Sequence, residues 1–160
     1  MMRTYLLGRA LWLCLFAAAG FVCFDAAPAT AQEEEKPYSI TDGKVDWYTY
    51  SGYRRYHGEC HVCHGPDGLG SSFGPSLVNS LKTLSYDEYL EVVVNGRQNV
   101  SQASHRAMPA FGMNPNVMCF VDDIYAYLKA RSDGALGRGR PEHGPKPDEA
   151  RERDNACLGF

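Results

Sequence analysis

Apolar side chains recur along three stretches of this chain at spacings of three and four, separated by segments rich in glycine, proline and charge. That distribution predicts helices joined by irregular connections. The first helix is expected to open near Asp46, in "DWYTYSGYRRYHGEC", where Tyr50, Tyr53 and Tyr56 make one aromatic stripe. Gly52 interrupts it at a cost of about 1 kcal/mol relative to alanine, so it marks either a close approach by another helix or a tolerated weak point. From Gly65 to Ser76 the chain reads as a loop. Ser85 and Glu88 then form an S-x-x-E capping box, "YLEVVV" supplies an apolar face, and Asn95-Gly96 ends this second helix. A further irregular stretch runs from Arg97 to about Asn114. Pro115 suits a first helical position, and a third helix continues through "VMCFVDDIYAYLKARS" to a stop near Asp133-Gly134. No strand pattern or internal repeat is visible, so the expected class is all-α.

The two ends carry different patterns. Arg3 and Arg9 accompany the apolar run "ALWLCLFAAAGFVCF" from Ala10 to Phe24, and "ATA" at 29–31 offers small residues to a peptidase. Residues 1–31 are therefore expected to be a secretory signal peptide, with no membrane insertion after cleavage. The alternative, an uncleaved anchor, has an apolar run shorter than the roughly 20 residues a spanning helix needs. Residues 32–45 read as a flexible acidic leader, residues 46–132 as the folded domain, and residues 133–160 as a polar tail whose composition predicts disorder. Arg138, Arg140 and Lys146 form a locally basic stretch expected to be solvated, the alternative being contact with a partner.

Cleavage changes the balance of charge and sulfur. The 129 residues from Gln32 onward hold 14 Lys and Arg against 18 Asp and Glu, a formal charge of −4. There is no concentrated basic face of the kind that binds nucleic acid. Cys60, Cys63, Cys119 and Cys157 remain, an even number in an oxidising compartment.

The chemistry concentrates in "GECHVCHG". Cys60-His61-Val62-Cys63-His64 satisfies C-x-x-C-H, the attachment signal for c-type haem. Two thiols at this spacing reach the two vinyl groups of one porphyrin, and the following histidine is held beneath the iron as proximal ligand. His64 is then the ligand, while His61 fills a free position at the surface or haem edge. A zinc site lacks a second ligand pair at the usual separation. A thioredoxin-like pair lacks a βαβ context, and a disulfide between residues three apart is uncommon.

The opposite iron ligand is expected from "HRAMPAFGMNPNVM". Met108 is favoured because Pro109 holds it in an extended loop and a thioether suits an electron carrier in an oxidising space. Met113 is the alternative. Met118 falls inside the third helix and reads as core, and His105 would give bis-histidine ligation.

On these residues the stretch from Asp46 to Ser132 resembles a class I cytochrome c: helices packed around one covalently bound haem c, here with a C-terminal extension. The resemblance implies that Gly52 and Tyr56 pack across the last helix at Ile124 and Tyr127. It also implies that the Gly74-Pro75 turn offers the Pro75 carbonyl to His64, and that "MPAFG" is the distal loop carrying Met108.

A narrower likeness joins "MPAFGMNPNVMCFVDDIYAYLKARSDGALGRGRPEH" and a late cysteine in "NACLG". This looks like the four-cysteine cytochromes of methanol metabolism, relatives of cytochrome cL. It implies a Cys119–Cys157 disulfide that pins the polar tail of residues 133–160 against the haem domain, the alternative being two unpaired thiols. It further implies a monomeric periplasmic electron carrier rather than an enzyme. The donor would be a PQQ-dependent methanol or alcohol dehydrogenase, and the acceptor a downstream cytochrome or terminal oxidase. Two other readings stand beside it: a haem enzyme or gas sensor with an open or labile sixth site, and a permanent cytochrome subunit of a dehydrogenase.

Overall fold

The computed structural model describes residues 35–101 and 104–160, and the side chains of 99–106 lie outside that description. The expected signal peptide and the start of the leader fall outside it too. Its elements are β1 (Ile40–Thr41), β2 (Lys44–Val45), α1 (Trp47–Glu59), α2 (His61–His64), α3 (Leu77–Ser80), α4 (Tyr86–Asn95), β3 (Arg97–Ser101), β4 (Ser104–Met108), α5 (Pro115–Met118), α6 (Val121–Ser132) and α7 (Asp148–Leu158), with one 3₁₀ turn at Pro66–Gly68. Among the described residues no helix is long and apolar enough to cross a membrane.

The frame is the crossing of α1 and α6. Asp46 caps α1 by accepting the Thr49 amide at 2.9 Å, and it also accepts the Ser39 amide at 2.7 Å, so one carboxylate starts the helix and fastens the leader. Gly52 faces the backbone of Asp123 and Ile124. The close approach, rather than a tolerated weak point, accounts for this glycine. Around the crossing Tyr56, Ile124, Tyr127 and Leu128 are buried with Leu81, Tyr89, Val93 and Val117 in one cluster. α4 is closed by the reciprocal capping box of Ser85 and Glu88, which satisfies two amides that the helix itself leaves unpaired.

Four expectations from the sequence need correction. The third helix is interrupted: α5 stops at Met118, Phe120 has a non-helical backbone, and α6 begins at Val121. The break falls between two residues with tertiary partners, Cys119 bonded to Cys157 and Phe120 buried beneath the Arg55 guanidinium 3.6 Å from its ring centre. The stretch after α4 is not irregular but an antiparallel hairpin, with Arg97 opposite Met108 and Ser101 opposite Ser104. Its sequence, "RQNVSQASHRAM", is mostly polar and carries no apolar alternation of period two. The end of the leader forms the small β1–β2 hairpin.

The tail, fourth, is ordered where its composition suggested disorder, and the Cys119–Cys157 disulfide implied by family likeness ties it back. Val45 donates to the Glu142 carbonyl and accepts from the Gly144 amide, and the His143 ring stacks on Tyr50 with centroids 3.6 Å apart. On α7, Arg153 makes two 2.8 Å bonds to the Asp123 carboxylate, and Cys157 joins Cys119 with Cα atoms 5.8 Å apart. The basic residues expected to be solvated all have partners: Arg138 meets Asp67, Arg140 meets the Tyr50 hydroxyl, and Lys146 meets Asp154. Composition predicted disorder because the tail carries few apolar side chains. Arginine–carboxylate, arginine–aromatic and covalent contacts substitute for them.

Candidate haem attachment site

The attachment motif grows directly out of α1. The Cys60 amide donates to the Tyr56 carbonyl at 2.8 Å, and the Cys63 and His64 amides both turn back to the Cys60 carbonyl. A separation of three along a helical turn places Cys60 and Cys63 as neighbours on one face. Both are free thiols, Cys60 half-buried and Cys63 exposed. Burial first, then Glu59 and Cys63, push the Cys60 thiol up to about 12. It is therefore held as a protonated thiol at neutral pH, the opposite of the depressed value that marks a thioredoxin-like redox pair.

His64 is buried, and its Nδ1 lies 2.9 Å from the carbonyl oxygen of Pro75. A carbonyl only accepts, so Nδ1 carries the proton and Nε2 is the nitrogen left with a free lone pair. The turn that brings Pro75 here is built for close contact. Ser71 donates to the Cys63 carbonyl at 2.5 Å, and the Ser71 amide donates to Gly74. A Cβ on Gly74 would stand 2.9 Å from the Cys63 oxygen and 3.0 Å from His64 Nδ1. The backbone after His64 is fixed by the Gly70 amide on the His64 carbonyl at 2.7 Å and by the buried Tyr56 hydroxyl on the Gly65 carbonyl at 2.5 Å.

His61 is half-buried, its ring stacked on His57 with centroids 5.8 Å apart and its Nδ1 without a hydrogen-bond partner among the described residues. On the other side of the sequence, Met108 is half-buried and packs on the same apolar cluster as Cys60, together with Phe111 and Met118. Met113 is 97% exposed. The loop after Met108 is bolted to the end of α4: the Phe111 and Gly112 amides donate to the Val93 and Val94 carbonyls. Gly96 has φ +72, and a Cβ there would lie 2.5 Å from the Met108 oxygen. Sequence reasoning treated Gly96 only as a helix stop and missed this contact; an Asn-Gly pair gives no hint of the strand that returns against it. Asp67 was missed as well. The His105 side chain lies outside the described ones, and its backbone pairs with Val100 in the hairpin.

This arrangement of two free thiols in one helical turn, a following imidazole oriented through Nδ1, and a helical pair crossed at a glycine defines a c-type cytochrome of class I. The comparisons with known proteins agree: the model of the family described as cytochrome c oxidase, cbb3-type, subunit III, matches residues 49–128. Cytochrome c-553I of Paracoccus denitrificans is 51% identical over 128 residues, 79% of this chain and 57% of that protein. Cytochrome c-555 of Methylococcus capsulatus is 44% identical over 99 residues, 61% of this chain and 74% of that protein. The crystal structure of c-type cytochrome XoxG from Methylobacterium extorquens AM1 superposes with a TM-score of 0.67 at 48% identity, covering 81% of this chain and 87% of that one. The chain belongs to this family of class I c-type cytochromes. It spans little more than half the length of cytochrome c-553I.

Membership implies a covalent haem c, and the residues fit it. The unpaired thiols, the tautomer of His64 imposed by Pro75, and the side-chain-free approach at Gly74 are what attachment and axial ligation require.

Proposed function

We propose that this protein is a mono-haem periplasmic electron carrier, not an enzyme. Cys60 and Cys63 would hold the haem by thioethers, His64, oriented by Pro75, would bind its iron, and Met108 would supply the second iron ligand. When bound, the haem supplies a one-electron Fe(III)/Fe(II) couple. The rest is the work of the chain. Pro75 keeps the Nδ1 proton on His64 and so raises the basicity of its ligating nitrogen. Tyr56 and Gly70 hold the backbone on either side of the imidazole. The attachment of the Met108 loop to Val93 and Val94 limits its motion, so that little reorganises as charge changes. The observation that carries the reading is the 2.9 Å contact between His64 Nδ1 and the Pro75 carbonyl, immediately after a C-x-x-C turn.

The donor we infer is a PQQ-dependent methanol or alcohol dehydrogenase, with a downstream cytochrome or terminal oxidase as acceptor. Likeness to the four-cysteine cytochromes of methanol metabolism supports this, as do the Cys119–Cys157 disulfide and the similarity to XoxG. Docking would be brief, over an interface below about 1,200 Å². The acidic balance of the chain favours a partner with a positive patch and an on-rate that falls with salt. Stopped-flow reduction of the purified holoprotein by candidate quinoprotein dehydrogenases, with and without alcohol, tests the assignment. Methanol dehydrogenase is expected to reduce it rapidly and only with substrate present. Reduction no faster than by an unrelated enzyme would end the donor assignment.

A further inference from the structure

Asp67 stands at the apex of the loop that follows His64, and among the described residues both hydrogen bonds its carboxylate accepts come from the C-terminal extension. Its side chain is only 7% exposed, and its backbone has φ +61, a left-handed conformation that is costly for a residue other than glycine. The Gly139 amide donates to Oδ1 at 3.0 Å, and Arg138 Nε donates to Oδ2 at 3.2 Å. Arg131 of α6 donates to the Asp67 carbonyl at 3.3 Å, and its guanidinium also grips the Leu136 carbonyl at 2.6 Å at the start of the extension.

The loop that Asp67 crowns is closed at its base by the Gly70 amide on the His64 carbonyl. Its Gly68 carbonyl accepts the Ser76 hydroxyl at 3.3 Å, and Ser76 is the residue after Pro75. One loop thus carries the backbone of His64 on one side and is tied to the backbone of its hydrogen-bond acceptor on the other. The extension that grips the loop is itself anchored independently, through Val45, Tyr50, Asp123 and Cys119.

We propose that the C-terminal extension is a positioning brace for the proximal ligand: Arg138 and Gly139 hold Asp67, and through it the loop that aligns His64 Nδ1 with the Pro75 carbonyl. The proposal rests on the reading of His64 as the iron ligand. A well-aligned Nδ1–H···O bond makes the imidazole more basic and favours Fe(III), so a slackened loop raises the reduction potential. Simple electrostatics has the opposite sign at Arg138: deleting a cation and leaving the Asp67 charge uncompensated favours Fe(III) and lowers the potential. The sign separates a brace from a mere nearby charge.

The experiment uses full-length holoprotein. Reduction potentials of wild type, Arg138→Ala, Arg138→Lys and Asp67→Ala are measured by spectroelectrochemistry, and exchange of the Gly70 amide is followed by NMR. For Arg138→Ala the brace requires a higher potential, of the order of a threefold to tenfold rise in the reduced-to-oxidised ratio at fixed poise, where tenfold is about 59 mV. It also requires Gly70 amide exchange at least several-fold faster, with both effects largely rescued in Arg138→Lys. A lowered or unchanged potential with Gly70 protection intact overturns the brace, and should Asp67→Ala not fold, the two Arg138 variants decide alone. A His64→Ala holoprotein that kept the low-spin spectrum would overturn the ligand reading, and with it any claim on the potential, while Gly70 exchange in Arg138→Ala would still judge whether the extension holds the loop.

Discussion

A Cβ built on Gly52 would lie 1.8 Å from the carbonyl oxygen of Asp123 and 2.9 Å from the amide nitrogen of Ile124. Helices α1 and α6 therefore meet backbone to backbone, and no rotamer change relieves an added methyl. Gly52→Ala is expected to destabilise the holoprotein by about 3 kcal/mol, the upper end of ordinary overpacking, even though alanine favours a helix by about 1 kcal/mol. Urea unfolding followed by far-UV circular dichroism checks this; an unchanged midpoint would mean that the crossing gives way easily.

Met108 and Met113 differ in surroundings, one packed on the core and the other 97% exposed. Met108→Ala is expected to abolish the weak far-red charge-transfer band of methionine–iron ligation and to let the reduced protein bind carbon monoxide readily. Met113→Ala should leave both properties as in wild type. The reverse pattern would move the distal ligand to Met113.

Gly96 supports the same loop from behind. At φ +72, with the Met108 oxygen 2.5 Å from where an added methyl would stand, Gly96→Ala should push the Met108–Ala110 backbone away from α4. The expected result is a weakened far-red band, faster carbon monoxide binding and a loss of about 1–3 kcal/mol in stability. Should absorption and carbon monoxide kinetics stay at wild-type values, the contact has no bearing on ligation.

The disulfide closes a loop across a sequence separation of 38 residues. Replacing both partners, Cys119→Ser with Cys157→Ser, is expected to cost about 4 kcal/mol on the chain-entropy account. Limited proteolysis should then cut first in residues 133–160, and denaturant titration gives the magnitude. A variant as stable as the parent would show that the ionic and aromatic contacts of the extension suffice.

Acid should weaken the fold. Burial alone would push the carboxyls of Asp67, Asp133 and Asp154 up, but the Gly139 amide and Arg138, then Lys129 and Tyr38, and then Lys146 and Arg153, respectively hold them below the usual range. Groups with depressed folded-state values contribute stability that is fully present above the unfolded value of about 3.9 and is lost as pH falls through the folded one. Asp123 runs the other way: burial outweighs Arg153 and Ser51 and raises it, so acidification relieves a cost there. The amide and hydroxyl of Ser85 lower Glu88 as well, and four groups against one predict a urea midpoint that drops below about pH 4. Asp154→Asn should make that drop shallower; an unaltered pH profile would remove Asp154 from the account.

How much of this was legible beforehand follows from the range of each interaction. The capping box at Ser85 and Glu88, the helix start near Asp46 and the C-x-x-C-H turn are all decided within a few residues, so the linear pattern displays them. The role of Gly52 was ambiguous in the pattern and became readable only through family likeness, because its partner Asp123 is far along the chain. The β3–β4 hairpin left no trace, since its mostly polar sequence shows no alternation of period two.

What the sequence determined by itself was the chemistry: two thiols and an imidazole in one turn, a methionine before a proline, and enough helical periodicity to frame them. Only the tertiary structure decided how the extension is seated beyond its disulfide, and with that the grip of Arg138 and Gly139 on Asp67. Those contacts join residues about seventy positions apart through charge and backbone donors, and such long-range polar pairings impose no period on the chain.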